Sequence, residues 1–155
     1  MATITPTAFY RDPLAALRWL EAAFGFETSL LLTDDAGKVG HAEMTFRGAS
    51  IGVGGEWAGP QLGGAAMKSP ASLDGAGTQF MWLEVDGLDD HCAKARGAGA
   101  RITQEPEDQF YGARTYRALD PEGHVWCFRQ LVRAVSADEM EKVSGLKVSN
   151  TLQDA

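Results

Sequence analysis

His41 and Glu43 stand two positions apart, as do Phe80, Trp82 and Glu84, and that spacing puts side chains on one face of an extended strand. An imidazole beside a carboxylate on such a face is half of a metal site, a base held by its orienting partner, or a surface ion pair. The Phe80, Trp82 and Glu84 face joins two large rings to a carboxylate. That mixture suits a ligand cavity with an apolar wall and a few polar groups better than a core or a solvated surface. A carboxylate between aromatic rings is expected to have a raised pKa, which makes Glu84 the candidate catalytic base or a partner for a cation. An ion pair with Arg114 or Arg117 is the plainer alternative.

Tyr111, Arg114 and Tyr116 add two phenols and a guanidinium able to grip a carboxylate or phosphate through two hydrogen bonds, or to form a structural ion pair. Cys127 is a reactive thiol if Arg129 or another cation lowers its pKa, and an inert buried one otherwise. His91, next to Asp89 and Asp90, fits a solvated helix position, and His124, after a tight turn, is expected to pack or hydrogen-bond there. Gly52, Gly54 and Gly55 lack the Lys and Ser/Thr-bearing helix that a phosphate-binding loop requires.

The elements that must position these residues can be read from their punctuation. Asp12-Pro13 followed by Leu14, Leu17, Leu20 and Phe24, then Gly25, predicts a helix with an Asp cap, Pro at its first position and Gly at its end. Residues 4–10 read as a short strand before it, and 27–33, 38–47 and 49–54 as three strands after it. The same order recurs. Residues 80–85 form a strand, Asp86-Gly87 opens a helix through Leu88, Cys92 and Ala95, and Gly97-Ala98-Gly99 closes it. Strands over 101–103, 114–119 and 124–131 follow, the last two joined by Asp120-Pro121-Glu122-Gly123.

Asp12 to Asp86 and Gly25 to Gly99 are each 74 residues apart, and Gly48 to Gly123 is 75, so the landmarks keep one register. The chain is therefore expected to be α+β: two tandem βαβββ modules, 4–57 and 78–131, forming a curved mixed sheet around a cleft. A Gly-, Ala- and Ser-rich connection covers 58–77. The whole of 4–131 would be a single domain, with 132–155 a C-terminal helical tail opened by the capping sequence Ser136-Ala137-Asp138-Glu139. Trp19 and Trp126 are assigned to helix-sheet packing, and Trp57 to a lid or a dimer contact.

Composition narrows the partners. The 155 residues carry 14 Lys and Arg against 21 Asp and Glu, a formal charge of −7, which disfavours nucleic acid and anionic membranes as partners. Two cysteines, Cys92 and Cys127, make neither a disulfide framework nor a zinc ribbon, and both are expected to be reduced and buried. The first residues lack the basic and apolar regions of a secretion signal, and the expected location is the cytoplasm.

Four segments carry a resemblance: Phe9 to Phe26, Trp82-Leu83-Glu84-Val85-Asp86, Gln109 to Arg114, and Asp120-Pro121-Glu122-Gly123-His124-Val125-Trp126. Together they resemble the glyoxalase/bleomycin-resistance/dioxygenase superfamily, the vicinal oxygen chelate fold, over about residues 4–131. The resemblance implies paired βαβββ modules around a cavity, commonly in dimers, so a homodimer is expected. In the family's metal enzymes the first and last strands of each module supply His and Glu ligands. Those places here correspond to Thr5, approximately Val53, Phe80 and Cys127, which cannot assemble the converging N, O or thiolate donors that a divalent ion needs. The expected function is metal-independent binding of a small molecule, without a cofactor. Phe80, Trp82, Glu84, Arg114, Tyr111, Cys127, His41 and Glu43 are the candidate ligand-binding residues. The alternative is a glyoxalase-like lyase or isomerase, or a dioxygenase, with a non-standard metal site.

Overall fold

A computed structural model describes residues 3–152 of the chain. Its first helix forms for the reasons its sequence displays. After strand β1 (Thr7–Tyr10), the Asp12 carboxylate accepts the Ala15 N–H at 2.9 Å, Pro13 begins α1 (Pro13–Phe24), and Gly25 ends it at φ 81°. Strands β2 (Glu27–Thr33), β3 (Val39–Phe46) and β4 (Ala49–Gly55) complete a sheet of order β1-β4-β3-β2, in which β1 runs parallel to β4 and the other pairs are antiparallel.

The connection that follows is not featureless. Strands β5 (Trp57–Ala58) and β6 (Ala66–Met67) pair as a short antiparallel hairpin, and single 3-10 turns cover Pro60–Leu62 and Pro70–Ser72. Then the first module's order repeats as β7 (Phe80–Glu84), α2 (Leu88–Gly97), β8 (Arg101–Asp108), β9 (Ala113–Leu119) and β10 (Val125–Leu131). They form a second sheet of order β7-β10-β9-β8, again with its first and last strands parallel.

The repeat extends to hydrogen-bond register. Thr7 faces Gly52 and Trp82 faces Cys127, partners 45 residues apart in each case, and the second pair lies 75 residues beyond the first. β8 runs five residues past the expected 101–103, and it tolerates Pro106 because an edge strand can spare an N–H. Beyond the second sheet, Ser136 caps α3 (Ala137–Ser144), whose Glu139 N–H it receives at 3.2 Å. The last three residues of the expected tail, 153–155, lie outside the described residues.

The modules meet through their helix-bearing faces and share one apolar core. Phe24 of α1 packs on Trp126 and Phe128 of β10, with ring centroids 5.4 and 4.7 Å apart, and the Trp19 indole donates to the Ala98 carbonyl at 2.8 Å. Asp120, only 5% exposed, accepts the Tyr10 hydroxyl at 2.7 Å, the Trp126 indole at 3.1 Å, and the backbone N–H groups of Glu122 and His124 at 3.0 Å. Four donors on one carboxylate explain how a charged group can sit between the modules. Both cysteines are free thiols in buried positions.

His91 departs from the solvated position expected for it. Its Nε2 donates to the Phe24 carbonyl at 2.9 Å, its Nδ1 accepts the Tyr116 hydroxyl at 2.7 Å, and the Phe128 ring lies 4.5 Å away. The flanking aspartates at positions 89 and 90 suggest solvent, but a helix turns 100° per residue, and position 91 falls on the side facing α1. Burial lowers the pKa of His91, and nearby Lys94 lowers it further, against the opposing pull of the Phe24 carbonyl. Because the folded state binds this proton less readily than the unfolded state, stability should be fully present above about pH 6.5 and fall as pH drops through the depressed value. Denaturant midpoints measured between pH 7 and pH 5 should therefore decline more steeply for the native chain than for His91→Gln.

Candidate functional site

Because the helices cover one face of each sheet, the opposite face is the place where side chains are free to meet a ligand. On the second sheet that face is organised in rows set by register. Phe80, Val125 and Leu119 make one row across β7, β10 and β9; Trp82, Cys127 and Arg117 make the next; Glu84, Arg129 and Thr115 the third. Phe80 is 50% and Trp82 44% exposed, and their ring centroids lie 5.8 Å apart. Two exposed rings side by side on a strand form a ready surface for stacking an apolar or planar ligand.

The polar rows are coupled to each other. Glu84 Oε2 accepts from the Arg129 guanidinium at 3.2 Å, so its partner is neither Arg114 nor Arg117, and the carboxylate lies half exposed rather than enclosed by aromatics. Cys127 is fully buried, beside Arg117. Burial pushes its thiol up, and the hydrogen bond and positive charge of Arg117 only oppose that shift. Tyr111 returns from the β8–β9 turn to the same place. Burial raises its phenol, the neighbouring Cys127 raises it further, and Arg117, Arg129 and a hydrogen bond with Thr115 act against both. The structure thus brings Phe80, Trp82, Glu84, Tyr111 and Cys127 to one face.

Arg114 is not on it. Counting along β9 puts Arg114 with Tyr116 on the helix side, where its guanidinium holds both oxygens of Asp89 at 2.8 and 2.9 Å and Asp108 at 3.0 Å. A planar fork filled by two carboxylates has no capacity left for a ligand anion. Tyr116 is likewise core, fully buried and stacked on Phe128 at 4.9 Å, and its burial raises the phenol pKa. Arg117 and Arg129, which lie in the rows of Trp82 and Glu84, are not among the candidate ligand-binding residues read from the sequence. Alternation from Cys127 identifies Arg129 directly, while Arg117 follows only from knowing the β9–β10 register.

His41 and Glu43 occupy the corresponding face of the first sheet, with Nε2 and Oε1 3.3 Å apart and both side chains 44% exposed. In that sheet Thr7, Gly52, Glu43 and Leu30 form one row. A Cβ on Gly52 would come within 2.5 Å of Thr7 Oγ1, and one on Gly54 within 3.4 Å of the Phe9 ring. The glycines therefore let Thr7 and Phe9 lie down across β4.

Of the four places equivalent to the family's ligand positions, three need adjustment by one or two residues and Cys127 needs none. Val53 points into the core, and Gly52 takes the open face. Thr5 precedes β1, and Thr7 is the residue opposite Gly52. By register the matched set is Thr7, Gly52, Trp82 and Cys127, with Phe80 one step along β7. A hydroxyl, a hydrogen, an indole and a buried protonated thiol do not fit a divalent ion. Among the described residues no group of three or more His, Cys, Asp or Glu side chains could hold one, His41 and Glu43 included.

Two βαβββ modules with parallel first and last strands, sharing a core and displaying their opposite faces, define a paired-module fold. The sequence profile of the Glyoxalase/Bleomycin resistance protein/Dioxygenase superfamily matches residues 4–128, and the chain belongs to that superfamily. Among solved structures it is similar to TioX from Micromonospora sp. ML1, at 28% identity over 85% of this chain and 100% of that one, with a TM-score of 0.63. A glyoxalase/bleomycin resistance protein/dioxygenase from Nocardioides shares the fold at 18% identity and a TM-score of 0.62, covering 88% of this chain and 87% of its own. Uncharacterized proteins of Mycobacterium bovis and Mycobacterium tuberculosis are each 29% identical over 138 residues, 89% of this chain and 89% and 79% of their own lengths. No helix among the described residues is long and apolar enough to cross a membrane.

The buried, upward-shifted thiols have a direct consequence. Cys92 and Cys127 should both resist a thiol reagent such as dithionitrobenzoate at pH 8 in the folded protein, and both should react once it is unfolded. Rapid native labelling of Cys127, mapped by mass spectrometry, would contradict the assignment of an inert thiol.

Proposed function

We propose that the protein is a metal-independent small-molecule-binding protein of the resistance or sequestration type, holding a planar, largely apolar ligand against Phe80 and Trp82. The observation that carries this reading is the exposed aromatic pair on β7, with Trp82 at a strand position where the family's metal enzymes would need a donor and Phe80 beside it on the same face. Around it, Glu84, Tyr111, Arg117 and Arg129 supply polar contacts at the edge of the stacking surface, and Cys127 lies buried beneath it. A groove of about 450 Å³, lined by Thr5, Ser50, Gln79, Phe80 and Trp82, runs between the start of the first module and β7, a volume suited to a drug-sized molecule.

Residues 4–131 act as the binding unit in this reading, and 132–155 as an appendage. The unit works in the cytoplasm in this reading, and as a homodimer in which a second copy covers the exposed Leu30 and Leu32 of the first sheet. A second reading, an enzyme with a relocated metal centre at His41 and Glu43, 3.3 Å apart on the other open face, requires donors beyond the described residues of one chain.

Titration of the intact protein with a panel of aromatic and cationic compounds should quench or shift its tryptophan fluorescence saturably. Trp82→Ala should weaken binding of the responding compound, measured by calorimetry, by about tenfold or more. Undiminished affinity in Trp82→Ala would remove the assigned face. One equivalent of divalent metal in protein purified without chelator, lost in His41→Ala, would favour the enzyme.

A further inference from the structure

The connecting segment does more than join the modules. Between β1 and residues 66–79 lies a cavity of about 780 Å³, whose walls include Thr7, Phe9, Met67, Lys68, Leu73 and Gln79. It is a different cavity from the groove at Phe80 and Trp82, with which it shares only Gln79. We propose that it is a second ligand site, for a small amphipathic anion whose apolar body lies on Phe9, Met67 and Leu73 and whose charged head is held by Lys68.

The charge pattern supplies the first argument. The chain carries a formal charge of −7, yet among the described residues no Asp or Glu lines this cavity, and its one full cation is Lys68. The Lys68 amine forms an ion pair with Glu56 Oε2 at 3.7 Å, too long for a hydrogen bond, so an incoming oxyanion would share the cation with that carboxylate while accepting its N–H donors. Glu56 does not line the cavity, and it is already engaged by the Ser69 N–H at 2.9 Å.

Preorganisation supplies the second. The Ser69 hydroxyl donates to Glu122 Oε2 at 2.6 Å, which pins the segment to the turn before β10, and Pro70 rests against Gly123 of the same turn. At the other end the Gln79 amide reaches the Thr7 carbonyl at 3.4 Å. The floor is equally fixed, since the Phe9 ring lies over Gly54 and the Phe9 carbonyl receives His124 Nε2 at 2.8 Å. A chain segment tied at both ends over a fixed aromatic floor forms a site that need not be organised by its ligand.

The test uses two fluorescent probes with one apolar body, 8-anilinonaphthalene-1-sulfonate and its uncharged counterpart N-phenyl-1-naphthylamine, titrated into the full chain. The sulfonate is expected to bind saturably, about tenfold or more tighter than the neutral probe. Lys68→Glu should remove that advantage and Lys68→Met should reduce it, while Trp82→Ala should leave it unchanged. Lys68 is an exposed position, so an unchanged thermal midpoint is expected for Lys68→Met, whereas Lys68→Glu sets a second carboxylate beside Glu56 and is compared at a temperature where both variants are folded. Equal affinity for the two probes would overturn the anion assignment. Sulfonate binding that survives Lys68→Glu but is lost in Trp82→Ala would overturn the second site and place the probe on the aromatic face instead. Absence of saturable binding would overturn the cavity as a site and leave the reading of Phe80 and Trp82 to its own titration.

Discussion

Each module has one apolar sheet face and one short helix, and neither buries enough apolar surface to be stable by itself at about 50 residues. The structure depends on how that shortage is resolved. Phe24 of the first helix packs on Trp126 and Phe128 of the second sheet, and His91 of the second helix bonds to the carbonyl at the end of the first. Each module thus completes the other's core. The functional consequence is directional: with the helix-bearing faces committed to the shared core, the opposite faces turn outward, and the candidate residues divide between them. His41 and Glu43 lie on one, and Phe80, Trp82, Glu84 and Cys127 on the other.

Much of this was visible in the sequence where local chemistry decides structure. Asp12, Pro13 and Gly25 specify a helix by capping alone, and the 74- to 75-residue spacing of landmarks announced the repeat that register then reproduced. The α+β fold with two βαβββ modules followed from those signals. What was not visible required knowledge of partners. Val53 and Gly52 are adjacent, and choosing which faces outward needs the pairing with β3 that places Val53 opposite Ala42. Arg114 has the residue type of an anion grip, but its strand phase aims it at Asp89 on α2, a contact that exists only once the helix has docked. His91 was misjudged for a related reason: its polar neighbours describe the helix's outer side and say nothing of what covers its inner one.

The repeat also shows how two copies of one architecture diverge. At one crossing between modules, Glu122 accepts the backbone N–H groups of Arg11 and Asp12 at 2.7 and 2.9 Å. At the equivalent crossing, 75 residues away in each partner, Arg47 pairs with Asp86 and also reaches the Glu84 carbonyl at 3.4 Å. The sign of the charge is reversed and the mechanical role is kept. An interface that needs only a fixed crossing angle can exchange donor for acceptor, because either arrangement satisfies the exposed backbone or side-chain group.

The open faces have no such freedom, and their differences carry the chemistry. Where the first module has Thr7 against Gly52, the second has Trp82 against Cys127; where the first has Phe9 lying over Gly54, the second has Glu84 paired with Arg129. Glycine on β4 lowers the surface, so the side chains of β1 lie flat and leave depth for the connecting segment to wall a cavity above them. A thiol and a guanidinium on β10 raise it, so Trp82 stands beside Cys127 and presents its ring to solvent. Identical backbone register therefore yields a recessed surface at Thr7 and Phe9 in one copy and a projecting aromatic one at Trp82 in the other, a difference set by residue size at four aligned positions.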